Sequence, residues 1–413
     1  MKQRHGLILS DNNLSAKIIL KEESMQYRTD KISGNKLSAL GLGCMRFPLD
    51  KSETERMILA AIEGGVNFFD TAYIYPNSEK TLGNILAKHN KRKDIFLATK
   101  LPFSKCRSSA DFDRIFTEQL RRLQTDFIDY YFLHSMTGFA QWEKYKEMGI
   151  EDWIVEKKAS GQIKQIGFLY HGTCDGFLKI IDDYPWEFCM IQYNYSDIHY
   201  QAGVSGLKAA ADKGMPVIIM EPLLGGRLAT GLPKQAVKFF AEHTEDRLPA
   251  EWALRWLWNQ EEVTVVLSGM SSTQIMNSNL QSVDRFTEPL TASELAVYDK
   301  VVAELKKAYK INCTGCNYCL PCPKGINIPG CFSAYNNSFS QNFFTGIMLY
   351  GTSTSVASAS PTSPRLCNEC GACEKECPQN LEIRKDLKAV TKRFESLPLR
   401  AGFAIARKVM TRK

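Results

Sequence analysis

The chain lacks any apolar run approaching the roughly 20 residues that a membrane-spanning helix needs. Its first residues offer only Leu7, Ile8 and Leu9 as an apolar segment, too short for the core of a secretory signal. A small-residue cleavage site and a twin-arginine signature are also missing. The formal net charge is +7, but the basic residues are spread along the chain. No basic stripe, RNA-binding aromatic motif or helix-turn-helix pattern singles out nucleic acid as a partner. No G-x-G-x-x-G turn follows the first strand-like segment, because Gly41-Leu42-Gly43 lacks the third glycine. A doubly wound dinucleotide-binding sheet therefore loses its marker. Together these absences predict a cytoplasmic protein. What remains is 413 residues, 44% apolar and 23% charged, an ordinary globular balance with room for one large domain or about two or three smaller ones.

Cysteine is plentiful, with 13 residues. One block reads Cys313, Cys316, Cys319, Cys322 and then Pro323. The other reads Cys367, Cys370, Cys373, Cys377 and then Pro378. Thiolates at this density, each run closed by Cys-Pro, suit two [4Fe–4S] clusters, and the runs resemble those of bacterial dicluster ferredoxins. That resemblance implies a crossover. Cys313, Cys316 and Cys319 would share one cluster with Cys377, and Cys367, Cys370 and Cys373 would share the other with Cys322. The first run departs from the pattern, with two residues before its last cysteine where about three are usual. Structural zinc and disulfides are the competing readings. Zinc sites usually set two cysteine pairs apart, and disulfides need an oxidising compartment. The other cysteines, Cys44, Cys106, Cys174, Cys189 and Cys331, read as small buried hydrophobes.

Upstream of the cysteines, short apolar segments alternate with amphipathic ones. Strand-like segments fall at 39–44, 67–70, 95–99, 127–133, 163–169, 188–192, 216–221 and 263–267. Helical periodicity fills the gaps, for example at 53–64, 111–123 and 236–242. This count and length predict an α/β chain, a (β/α)8 TIM barrel followed by a smaller C-terminal ferredoxin-like iron–sulfur domain. The expected divisions are an extension at 1–24, with translation starting at Met25 as one option, the barrel at 25–290, a linker helix at 291–310, the cluster domain at 311–385 and a basic tail at 386–413. A hairpin at 25–35 would plug the barrel's lower end. The Ser-, Thr- and Pro-rich stretch 351–364 reads as a flexible loop. The tail, with Arg400, Arg407, Lys408, Arg412 and Lys413, reads as an exposed helix or a contact for a membrane or partner.

Polar residues stand at successive strand ends, where a barrel keeps its active site. They are Asp70, then Tyr75 just beyond it, Lys100 and His134. Taken singly, such a histidine reads as a hydrogen-bonded structural residue and such an aspartate as a helix cap. Taken together, their order and spacing resemble the catalytic tetrad of the aldo/keto reductases. Gly41-Leu42-Gly43, Asp70-Thr71-Ala72, Ser78-Glu79 with Leu82-Gly83, Ile166-Gly167-Phe168, Gln192-Tyr193-Asn194 and Ser268-Gly269 are similar to that family too. The resemblance covers about residues 26–290, and 26–385 looks like its branch fused to a ferredoxin-like module. It implies an oxidoreductase that reduces a carbonyl or oxidises an alcohol. Tyr75 would be the proton donor. Lys100 would lower the phenol's pKa from about 10, Asp70 would hold Lys100, and His134 would bond the substrate oxygen.

The resemblance also implies a nicotinamide cofactor, NADH or NADPH, near Gly43, Cys44, Met45, Asp70, Gln192, Met220, Glu221, Leu223, Gly269 and Asn279. Gln192 matches the glutamine that binds the carboxamide, and Asn279 the asparagine that binds adenine. Five positions depart from the family. Leu169 and Tyr170 replace a Ser-Asn pair, Met220 replaces the stacking aromatic residue, and Gly269 and Ile275 replace two basic residues. His171 is either a polar group at the pocket rim or a structural histidine. Tyr73, Phe103 and Trp142 are candidates for an apolar pocket. A hydride donor delivers two electrons at once and a cluster delivers one, so a ferredoxin-type redox partner is expected. The alternative is an electron-transfer protein whose barrel is a docking scaffold.

Overall fold

The computed structural model of the protein describes residues 25–244, 246–354 and 362–410, with side chains through Ala404 in the last helix. The expected extension at 1–24 and the side chains of Arg407, Lys408, Arg412 and Lys413 lie outside the described residues.

Eight parallel strands close into a barrel: β1 (Leu40–Gly43), β2 (Phe68–Asp70), β3 (Phe96–Pro102), β4 (Ile128–Met136), β5 (Ile163–Tyr170), β6 (Phe188–Gln192), β7 (Val217–Met220) and β8 (Val263–Ser268). Closure comes from β8, which pairs with both β1 and β7. Strands β3 and β4 continue past the expected ends at 99 and 133, with Leu101 and Met136 buried and the register of β4 shifting between Leu133 and Met136. Helices Lys51–Glu63, Ser109–Leu123 and Lys234–Ala241 occupy the periodic stretches. Asp50 caps the first of these by accepting from the Ser52 amide at 2.9 Å.

Period-two alternation sorts the strand residues. Phe68, Ala98, Tyr130, Phe132, Phe188, Met190, Ile218 and Val265 point inward and fill the barrel. Their neighbours pack outward against the helices in a larger core. At the N-terminal end, strands Tyr27–Thr29 and Lys36–Ser38 form the hairpin. Its second strand lies beyond the expected limit at 35, because 30–35 form the turn, with Asp30 accepting from the Ile32 and Ser33 amides. Leu37 enters the barrel interior, and Tyr130 donates to Asp30 at 2.8 Å.

Two expected boundaries fall elsewhere. Helix Ala292–Ala308, expected as a linker, belongs to the barrel's cover. Its Val297, Tyr298, Val301 and Leu305 pack with Phe240 and Trp252. Helix Ile383–Phe394 crosses the expected start of the tail at 386, and its Ile383, Leu387, Val390 and Phe394 lie in the small domain's core. That domain is helical. Helices Ile328–Ser340, Phe343–Ser353 and Ile383–Phe394 surround Ile311, Phe332 and Tyr350. The expected loop at 351–364 is therefore helical at its start, and 355–361 lie outside the described residues. Among the described residues no helix is long and apolar enough to cross a membrane.

Candidate functional site

The alternation that fills the barrel also places the polar residues. Two positions beyond inward-facing Phe68, Ala98, Phe132, Met190 and Ile218 stand Asp70, Lys100, His134, Gln192 and Met220. All point inward at the C-terminal rim. Strand register sets them side by side, with Lys100 opposite Phe132, Pro102 opposite His134 and Gln192 opposite Met220. The Lys100 ammonium, wholly buried, donates to Asp70 Oδ1 at 2.5 Å and to the Thr71 carbonyl at 2.6 Å. It also lies 5.3 Å from the centre of the Tyr75 ring. The His134 ring meets the Tyr75 ring edge-on at 6.1 Å. The structure thus brings the four tetrad residues together.

The electrostatics differ from expectation. Tyr75 is pushed well above its ordinary value by burial, then by Tyr318 and Asp70. Burial raises Asp70 and lowers Lys100, and each charge opposes the other's shift. Burial, then Lys100 and His171, hold His134 far below its usual value. Its imidazole is therefore neutral, and neither ring nitrogen has a hydrogen-bond partner. Two orphaned polar atoms at 2% exposure are costly unless a ligand satisfies them.

A pocket of about 470 Å³ opens at this rim. Asp70 and Tyr75 line it, and Lys100 and His134 adjoin these two. Of the positions implied for a dinucleotide, Gly43, Met45, Met220, Glu221, Leu223 and Gly269 also line it. Cys44, Gln192 and Asn279 do not. Cys44 is buried in the outer core, and Asn279 donates to Ser268 Oγ at 2.9 Å. Gln192 is paired with Gln379, accepting from its amide at 2.7 Å and donating back at 3.2 Å. His171 lines the pocket, with Nδ1 3.3 Å from Gln201 Oε1, and burial pushes its pKa down to about 4. The apolar-pocket candidates do not line it. Trp142 is core, donating to Asp183 and packing on Trp186. Phe103 packs on Tyr145, and Tyr73 sits under the Arg122 guanidinium.

The cysteine runs border two cavities. Cys313, Cys316, Cys319 and Cys377 line one. Cys322, Cys367, Cys370 and Cys373, with Cys319 again, line another of about 300 Å³. Gly315 and Asn317 both take φ of 68°, folding the first run back on itself. Four thiolates on one zinc ion would crowd within about 4 Å of one another. Among the described residues no three His, Cys, Asp or Glu side chains are gathered closely enough for a single ion. Of the remaining cysteines, Cys106, Cys189 and Cys331 are buried like Cys44, and Cys174 is half-buried.

The first cavity lies against the barrel pocket, because Cys316, Pro378 and Gln379 line both, and Tyr318 joins the pocket from the second cavity. Arg227 donates to the Cys313 carbonyl at 2.8 Å, and Arg46 reaches the Thr314 carbonyl at 3.4 Å. Gly225, at φ 66°, lets the backbone approach Thr314 so closely that a Cβ would sit 2.0 Å from its carbonyl oxygen. Sequence reasoning missed Tyr318, Gln379, Arg227 and Arg46. The first two stand one and two residues from cluster cysteines, but nothing in one sequence says that those loops meet the barrel.

Comparison with known proteins agrees with these two halves. The model of the aldo/keto reductase family matches residues 39–303, and that of a 4Fe-4S dicluster domain matches 312–382. An aldo-keto reductase of Mycolicibacterium vanbaalenii is 29% identical over 270 residues, 64% of this chain and 88% of that protein. The Schizosaccharomyces pombe protein named aldo-keto reductase yakc [NADP(+)] is 26% identical over 232 residues, 52% of this chain and 66% of its own. Among solved structures, aldo-keto reductase AKR11C1 from Bacillus halodurans in its holo form matches with a TM-score of 0.57 and 28% identity, over 67% of this chain and 96% of that one.

Proposed function

The chain belongs to the aldo/keto reductase family and carries a 4Fe-4S dicluster domain behind its barrel, and from that premise we propose an iron–sulfur oxidoreductase that reduces a small carbonyl compound or oxidises the corresponding alcohol. The observation that carries this reading is the convergence of Asp70, Lys100, Tyr75 and His134 at one rim. Reduction of C=O to CH–OH takes two electrons and two protons: the electrons would arrive one at a time from a ferredoxin-type donor through the clusters, one proton would come from Tyr75 and the other from water. Tyr75, neutral and facing the pocket, delivers a proton to the carbonyl oxygen. Lys100, held by Asp70, offsets the charge left on the phenol. The unpartnered His134 nitrogens bond the oxygen as charge develops there.

Cys313, Cys316, Cys319 and Cys377 would hold one cluster, and Cys322, Cys367, Cys370 and Cys373 the other. The two cavities group the thiols in this way, with Cys319 bordering both, which supports the crossover. When bound, such clusters take up and release electrons singly, so a ferredoxin-type protein is the partner that suits them. Nicotinamide is the hydride donor that family membership suggests, and NADP(+) stands in the name of the fission-yeast relative. The residues here do not fit it, since the Gln192 amide is already paired.

The pairing of Gln192 and the pressure of Tyr318 on Tyr75 favour one other reading, an electron-transfer protein with a barrel that does not turn over. Anaerobic holoprotein, supplied with NADH, NADPH or reduced methyl viologen and a panel of aldehydes and ketones, separates the two. Donor consumption that Tyr75→Phe lowers by about 10²–10⁴-fold, with visible cluster absorbance unchanged, supports the enzyme. Equal rates in both proteins overturn the role of Tyr75, and no rate with any donor supports the scaffold.

A further inference from the structure

The segment that follows Cys377 is built into the barrel rim. Gln201 Nε2 donates to the Pro378 carbonyl at 2.9 Å, Tyr200 Oη to the Gln379 carbonyl at 2.5 Å, and Asn380 Nδ2 to the His171 carbonyl at 3.3 Å. Three consecutive residues are thereby anchored to the loops after β5 and β6. Their anchoring fixes the Gln379 side chain, which is 5% exposed, against Gln192, which is 1% exposed. The two primary amides pair reciprocally, each donating once and accepting once.

A nicotinamide ring presents the same group, a primary carboxamide, and would seek the same donor and acceptor on Gln192. Neighbouring positions add no second seat. Leu169 is apolar, the Tyr170 hydroxyl donates to the Thr173 carbonyl at 2.8 Å, and Met220 offers no aromatic face. Moving Gln379 aside would leave two buried amides unpaired and would pull on the loop that carries Cys377.

We propose that Gln379 is a built-in occupant of the carboxamide seat, so that the barrel takes a small substrate without a nicotinamide dinucleotide beside it. Gln379 is then the residue that sets cofactor specificity, by filling the site with the chain's own amide. The proposal rests on reading Gln192 as that seat and is independent of whether Tyr75 is the proton donor.

The test is equilibrium titration of anaerobic holoprotein with NADH and with NADPH, read by nicotinamide fluorescence and therefore without turnover. Wild-type protein is expected to show no saturable binding up to about 1 mM of either nucleotide. Gln379→Ala should bind at least one of them about tenfold or more tightly. Gln379→Asn, whose shorter amide falls away from Gln192, should do the same, so that loss of folding in one variant leaves the other to decide. Visible absorbance of the clusters checks that each variant is intact. Wild-type binding with Kd below about 0.1 mM overturns the proposal. So does a pair of intact variants that bind no better than wild type.

Discussion

At the residue scale the candidate site is a set of groups whose charges burial opposes. Lys100 and Asp70 sit in contact with almost no exposure, and removing one partner strands the other. Lys100→Met should therefore cost about 3–5 kcal/mol of stability, read as a lowered urea midpoint, besides any loss of turnover. A variant as stable as the parent would mean that Asp70 simply takes up a proton. The histidines make a pH prediction. His171 is held down to about 4 and His134 well below its usual value, whereas unfolded histidine titrates near about 6.5. Above that pH neither state binds these protons and stability is unaffected. As pH falls from about 6.5 towards 4, the unfolded chain takes up protons that the native one refuses. Each histidine then removes up to about 1.4 kcal/mol of stability per pH unit. Urea unfolding at pH 7 and pH 5 should show a smaller drop for His171→Gln than for wild type. Equal drops would contradict a neutral His171 in the native state.

At the element scale, alternation within strands explains both core and site. The inward series Phe68, Ala98 and Phe132 continues into Asp70, Lys100 and His134 with no change of period. That part was legible in the sequence because a strand's side-chain period is local. Loop geometry was less so. The turn at Leu224–Gly226 holds Gly225 at φ 66° directly under the Thr314 carbonyl. Gly225→Ala meets both a conformational penalty and a steric one, so it should lift the cysteine-bearing loop from the rim. Lower iron per chain and faster proteolysis between residues 309 and 327 are the expected results, with barrel circular dichroism preserved. Unaltered iron content and proteolysis would show that the contact is dispensable.

At the scale of the whole molecule, two domains of unequal size share one interface. The barrel has its own interior and helix-packed cores. The small domain has a modest one, in which Cys313, Cys319, Cys322, Cys367, Cys373 and Cys377 themselves pack. A domain of that kind draws much of its stability from bound metal. Chelation of iron should therefore produce a separate low-temperature transition in calorimetry and leave the barrel's transition near its original position. A single unshifted transition would indicate that the domain folds without its metal.

The sequence by itself determined the barrel, the four rim residues and the grouping of eight cysteines in two runs, because strand alternation and ligand spacing are properties of neighbouring residues. The linker and tail boundaries failed for the complementary reason, since whether helices Ala292–Ala308 and Ile383–Phe394 join a core depends on distant partners. Only the tertiary structure decided that Tyr318 would face Tyr75 and that Gln379 would pair with Gln192, 187 positions away in the chain. Those contacts form where two separately encoded domains meet, and hydrogen bonding across such an interface leaves no periodic signal in either stretch of sequence.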